Sequence, residues 1–210
     1  MRRMILLSIV FLFIGGCAHY TVVPAERRVV GDLYSVKTNV EWSQADEGGM
    51  KVWTIDGPFL EALRFVTLKD GDTLFQSTDK DAKLPRFRAH MTPNEVVEFF
   101  EASLNSVSGG VDTHQLAKGM VQPAGIIAGS INAASIDVKD LRPADFGRLP
   151  GFRFDFSFLS KYGLEKQGAA LGCIHDGKLL LMVYTGTREH YFKLHQEEVE
   201  TVFSSVQFVK

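Results

Sequence analysis

The sequence predicts an α+β domain, a mainly antiparallel β-sheet with helices packed on it, and three stretches carry that prediction. Phe152, Phe154, Phe156 and Phe158 alternate with Arg153, Asp155 and Ser157, the period-two pattern of a strand with one aromatic and one polar face. Leu179 to Val183 is apolar at every position and follows Asp176-Gly177, a hairpin-turn pair. A strand apolar on both faces belongs in the middle of a covered sheet. Thr92, Pro93 and Glu95 form a capping box ahead of Val96, Phe99, Phe100 and Leu104, which share one helical face while Glu98 and Glu101 point to water.

The remaining elements follow in chain order. Residues 18–30 carry Pro24, Glu26, Arg27 and Arg28 without sustained periodicity, which predicts a tether. Val36, Thr38, Val40 and Trp42 alternate with polar residues and predict a half-buried strand. Gly48-Gly49 then turns the chain back along Met50 to Ile55, placing Trp42 and Trp53 in one hairpin and in the core. A strand from about Leu63 meets Asp70-Gly71, a second hairpin signal. Gln76 to Lys83 is polar and reads as a surface loop that Leu84 to Arg88 continues. Residues 111–135 are rich in Gly, Ala and Ser and show no regular element, which predicts a mobile loop or insertion, either a lid or binding segment or a disordered stretch. Gly168 to Ile174 reads as a strand leading into the Asp176-Gly177 turn. Val199, Val202, Phe203 and Val206 fall at helical spacing behind Glu197 and Glu198, so a last helix packs on the sheet.

The N-terminus reads as an address. Arg2 and Arg3 precede an apolar run from Met4 to Ile14 that ends at Gly15, Gly16 and Cys17, the layout of a secretory signal. The run is roughly half the ~20 residues that a membrane-crossing helix needs. Ile14-Gly15-Gly16-Cys17 resembles the lipobox of bacterial lipoproteins. That resemblance implies cleavage between Gly16 and Cys17 and acylation of Cys17, with chains such as palmitate making the membrane a partner. Two or three acyl chains hold a protein stably where one holds it marginally. Ala18 in place of Asp after the cysteine implies, by the same resemblance, an outer-membrane anchor with the domain facing the periplasm. The expected organisation is a signal peptide over 1–16, a lipidated cysteine and tether over 17–30, and one globular domain over 31–210.

Loss of Arg2 and Arg3 takes the net charge from −2 to about −4, so no basic excess points to nucleic acid. With Cys17 assigned to lipid, Cys173 has no intramolecular partner. Its apolar setting, Ala169 to Ile174, predicts a buried, inert thiol.

Motifs for chemistry are sparse. His190 and His195 are five residues apart, off the four-residue spacing of a helical metal pair, and Cys173 with His175 supplies only two ligands, so no metal and no cofactor are predicted. There is no Gly-x-Ser-x-Gly elbow and no phosphate-cradling glycine loop, and no catalytic residue is assigned. The candidate partner surface is Arg86, Phe87, Arg88 and His90, two cations and an aromatic just ahead of the capped helix. The plainer reading of the same residues has Phe87 packed inward and the arginines solvated. Arg188, His190, Tyr191 and Phe192 form a second polar and aromatic group that loop packing explains equally well.

From Phe152 onward the order is strand, glycine-rich strand, Asp176-Gly177 turn, apolar strand, and a helix running into Val202-Phe203-Ser204-Ser205-Val206-Gln207-Phe208. This resembles the C-terminal half of PsbP-like domains. The resemblance implies an α/β/α sandwich and carries over no ligand residue. Two functions remain open: an envelope lipoprotein with a noncatalytic binding or assembly-accessory role, or a periplasm-facing enzyme with an unrecognised active site.

Overall fold

The computed structural model describes residues 20–31, 33–47, 50–75, 83–108, 136–160 and 163–209. The expectations placed on the signal segment, Cys17, the Gly48-Gly49 turn, most of the Gln76 to Lys83 loop and residues 111–135 lie outside these residues.

Among the described residues the chain forms β1 (Thr21–Val23), β2 (Arg27–Val30), β3 (Tyr34–Lys37), β4 (Trp42–Glu47), β5 (Met50–Thr54), β6 (Glu61–Lys69), α1 (Pro93–Ser108), β7 (Asp137–Phe146), β8 (Leu149–Leu159), β9 (Glu165–His175), β10 (Lys178–Thr187), α2 (Tyr191–Leu194), α3 (Gln196–Ser204) and β11 (Gln207–Phe208). Eight strands pair antiparallel in the order β1-β4-β5-β6-β10-β9-β8-β7, and β11, β3 and β2 make a small second sheet.

The apolar run of β10 has the predicted cause. It lies between β6 and β9, and its side chains serve two cores in turn. Leu179, Leu181 and Val183 join the α1 side, while Leu180, Met182 and Tyr184 join the side built by α3 and the small sheet. Helices therefore cover both faces, as a sandwich requires. The molecule is nevertheless more β-rich than a balanced α/β/α sandwich, because the small sheet completes the α3 layer.

The phenylalanines of β8 are all buried on the α1 side. In register with them on β9 stand Gly172 opposite Phe152, Ala170 opposite Phe154 and Gly168 opposite Phe156. Rings on one strand thus lie over positions with little or no side chain on the next, and Phe100 of α1 closes them edge-on at 5.2 Å from Phe154 and 5.1 Å from Phe156. A Cβ at Gly168 would stand 2.2 Å from Cζ of Phe156. Gly168→Val is expected to cost about 1–3 kcal/mol by overpacking, read as a lower urea midpoint at unchanged slope.

The capping box of α1 forms as expected: Thr92 N donates to Glu95 Oε2 at 2.7 Å and Glu95 N to Thr92 Oγ1 at 3.4 Å. Val96, Phe99, Phe100 and Leu104 are buried beneath it. Trp42 and Trp53 are likewise buried, with ring centroids 6.2 Å apart.

Three features depart from expectation. The stretch read as a tether contains β1 and β2, paired to β4 and β3, with Val23 and Val30 buried. Strands of three and four residues are too short to show a period-two pattern. The strand predicted from Val36 to Trp42 is broken between β3 and β4, where Thr38 Oγ1 accepts from Trp42 Nε1 at 2.8 Å and donates to Glu198 Oε1 at 2.7 Å. That knot turns the chain from the small sheet into the large one. Finally, Asp70-Gly71 closes no hairpin. β6 takes β10 as its neighbour, and the residues after the turn bond to Phe87, with Gly71 N donating to its carbonyl at 2.9 Å.

Candidate functional site

Ionisable side chains are buried at the end of the sheet where β5 passes to β6, β8 to β9 and β10 to α2. Glu61, the first residue of β6, is fully buried. Its Oε1 accepts from Thr54 Oγ1 at 2.6 Å, Ile55 N at 2.5 Å and Asp56 N at 3.1 Å, while Oε2 is buried without a hydrogen-bond partner. Burial raises the pKa of this carboxyl, and the three hydrogen bonds and His195 oppose that rise. Across β10, Lys166 Nζ donates to the carbonyls of Phe59 and, at 3.2 Å, Leu60. Burial, helped by Arg64, pushes the Lys166 amine down to about 8. Arg64 is itself buried and donates to Thr185 Oγ1 at 3.2 Å.

These groups hold the β5–β6 connection nearly residue by residue. Glu61 takes the N–H groups of 55 and 56, and Thr54 Oγ1 takes Gly57 N at 2.8 Å. Gly57 has φ +113, a conformation that favours glycine. Thr187 N donates to Leu60 O at 3.1 Å, and His195, between α2 and α3, meets Asp56 Oδ2 through Nε2 at 2.6 Å. The connection so fixed presents Phe59, 65% exposed. Leu164 between β8 and β9 and Leu194 on α2, at 48% and 54%, stand at the same end of the sheet. Buried ion clusters are weak support for stability and better understood as fixing geometry. Here the fixed geometry belongs to a loop that holds a large apolar side chain in water.

The residues singled out from sequence fall elsewhere. Phe87 is fully buried against Phe99, centroids 6.3 Å apart, and so drops out of the proposed partner surface. Its backbone pairs with Gly71 and Asp72, which turns the side chain under α1. Arg86, Arg88 and His90 are exposed at the opposite end of the sheet, with Arg86 donating to Gly71 O at 2.8 Å and Arg88 facing Asp70 at 3.6 Å. In the second group Phe192 is buried on Tyr184, Tyr184 OH donates to Tyr191 O at 2.9 Å, and Arg188 pairs with Glu165 at 2.7 Å. Cys173 is fully buried and its thiol is pushed up to about 12 by that burial, while the His175 ring packs on Phe208. Among the described residues no three His, Cys, Asp or Glu side chains are grouped to hold a metal ion.

A groove of about 220 Å³ opens over β8 and β9, lined by Lys139, Asp140, Asp155, Ser157, Gln167 and Arg188. Its charges are largely neutralised in pairs, Asp155 by Arg142 at 3.2 Å and Arg188 by Glu165. Beside it, Arg153 forks onto Glu200 of α3 and lies over the Phe203 ring, which fixes that helix to the sheet.

The architecture is that of a PsbP-like fold. No protein-family model and no curated protein matches the sequence. Among solved structures, the chain is similar to the cyanobacterial PsbP protein CyanoP of Synechocystis sp. PCC 6803, with a TM-score of 0.52 and 14% identity over 93% of this chain and 96% of that one. It also aligns with a protein of Bacteroides thetaiotaomicron VPI-5482, at TM-score 0.44 and 12% identity over 90% of this chain and 50% of that one. A third alignment is to LpqN of Mycobacterium tuberculosis, described as involved in cell envelope biogenesis, at TM-score 0.36 and 10% identity over 94% and 88%. The last two scores are too low to mark a shared fold.

Proposed function

We propose that this chain is an envelope lipoprotein with a noncatalytic binding or assembly-accessory role, anchored in the outer membrane by acyl chains on Cys17 and facing the periplasm. Its contact surface is the end of the sheet that carries Phe59. The observation behind this reading is a buried cluster of Glu61, Arg64 and Lys166 beneath a loop that leaves Phe59 65% exposed. Large exposed apolar groups on a fixed frame suit a protein contact, where little ordering entropy remains to be lost on binding.

Two measurements test it. Intact mass and fractionation of the native protein beside Cys17→Ser should show acyl mass and membrane retention in the first only; a soluble, unacylated native protein removes the anchor. A photoreactive side chain at position 59 in intact envelopes should give a discrete protein adduct, and one at the exposed Glu98 of α1 should not. Equal yields at both positions remove the contact surface. Phe59→Ser should eliminate the partner while changing stability by less than about 0.5 kcal/mol, as surface substitutions do.

A further inference from the structure

The two edges of the large sheet are built differently. β7, at one edge, carries Asp137, Lys139, Asp140, Arg142, Pro143 and Asp145, with a register shift between Lys139 and Arg142. Charges, a proline and a bulge are the usual devices that keep an open edge from pairing with another chain. β1, at the other edge, has none of them. The run Ala18-His19-Tyr20-Thr21-Val22-Val23 holds no Asp, Glu, Lys or Arg, and Tyr20 and Val22 are 42% and 63% exposed. β1 is three residues long, so this edge is kept short rather than charged, and it leaves Val22 facing outward.

Chain length says what this edge would face. Cys17 and Tyr20 are three residues apart, which at full extension spans about 11 Å. β1 is in register with β4 from Thr21 opposite Gln44 to Val23 opposite Trp42, so the chain is part of the sheet from Thr21 onward. An acylated Cys17 would therefore bring the β1 edge to the headgroups. The β7 edge lies seven strand spacings away, on the order of 30 Å.

We propose that the β1 edge is a membrane-facing surface, with Tyr20 and Val22 resting at the lipid headgroups and the β7 edge turned to the aqueous compartment. The inference rests on the lipidation proposed above. It places an amphipathic aromatic side chain where tyrosine is favoured, at a membrane–water boundary. Absence of acidic side chains from residues 18–23 also removes repulsion from an anionic headgroup layer.

The test uses the full-length acylated protein in vesicles of phosphatidylethanolamine and phosphatidylglycerol, with a fluorophore attached at Val22→Cys or, separately, at Asp145→Cys. Both positions are exposed, whereas Cys173 is buried and does not compete for label. A quencher fixed at the lipid headgroup should dim the Val22 label several-fold more than the Asp145 label. With acyl mass present, equal or reversed quenching overturns the orientation while leaving lipidation intact. If the Val22 label is shielded from a soluble quencher but untouched by the lipid-borne one, a second copy of the chain covers the edge and the proposal is overturned. If acyl mass is absent, the lipidation reading fails first and the inference with it.

Discussion

Glu61→Ala is expected to destabilise the domain by about 2–4 kcal/mol, because two backbone donors lose the acceptor they share. The substitution takes the side-chain acceptor from Ile55 N and Asp56 N at once, while Thr54 Oγ1 keeps the Glu61 carbonyl at 2.9 Å. A buried donor left without a partner costs about 1–3 kcal/mol. It also removes the negative charge that favours the protonated Lys166 amine. Glu61→Gln separates the two losses, since the amide oxygen can keep the three hydrogen bonds while the charge disappears. Its cost should be smaller, because Oε2, where the new NH2 group would stand, has no hydrogen-bond partner to lose. Urea unfolding measures the totals. Hydrogen exchange at Ile55 and Asp56 shows whether the Phe59 loop opens ahead of global unfolding. A cost below about 1 kcal/mol for Glu61→Ala would mean that the cluster does not hold the loop, and the reading of Phe59 as a preset contact would lose its support.

What could be read from the residues, and what could not, divides along a physical line. Phe152 to Phe158, Leu179 to Val183 and the Thr92-Glu95 box write their structure in local spacing, and the strands, the central position of β10 and the cap all appear. β1 and β2 exist only through partners 20 or so and 4 to 10 residues away, and segments this short carry no period of their own. Asp70-Gly71 has the local chemistry of a hairpin, yet β6 pairs with β10, more than 100 residues on, because the long apolar face of β10 offers more burial than any local return. The candidate site was hidden for a related reason. Glu61 and Arg64 stand on β6 and Lys166 on β9, about 100 residues further along, and β10 brings the two strands together only when the sheet forms. One signal was present: Arg64 has the parity of Val66 and Leu68, and Lys166 that of Gly168 and Ala170, so each charge falls on the inward face of an otherwise apolar pattern. An inward charge on a predicted strand marks either a broken prediction or a buried network. The Arg86 group, chosen because aromatic and cationic residues are adjacent in sequence, failed at Phe87 because adjacent residues on extended chain point to opposite sides.

Lys166 supplies the second large effect, and its sign is that of a carboxyl with a depressed pKa, opposite to that of a lysine whose pKa a salt bridge raises. Its folded pKa of about 8 lies below the ordinary 10.5 because burial disfavours the charged amine. A depressed lysine contributes stability that is fully present above the unfolded value and is lost as pH falls through the folded one. Between about 8 and 10.5 the unfolded chain therefore holds a proton that the folded chain has released, and stability should rise with pH. The full shift corresponds to about 3 kcal/mol at most. Cys173 works against this rise, since its folded pKa of about 12 lies above the ordinary 9.0 and its contribution fades as pH climbs past that value. Buried Tyr34 and Tyr184, both raised above 10.0, add to the opposition at the top of the range. The readout is thus the difference between native and Lys166→Met stability curves, in which those shared terms cancel. That difference should change by about 2–3 kcal/mol from pH 7.5 to 10, the variant lacking the lysine's share of the rise. Parallel curves would show an amine solvated in both states. In that case the carbonyls of Phe59 and Leu60 would not be held by a buried cation, and the rigid presentation of Phe59 would rest on Glu61, Thr54 and the Asp56–His195 pair alone.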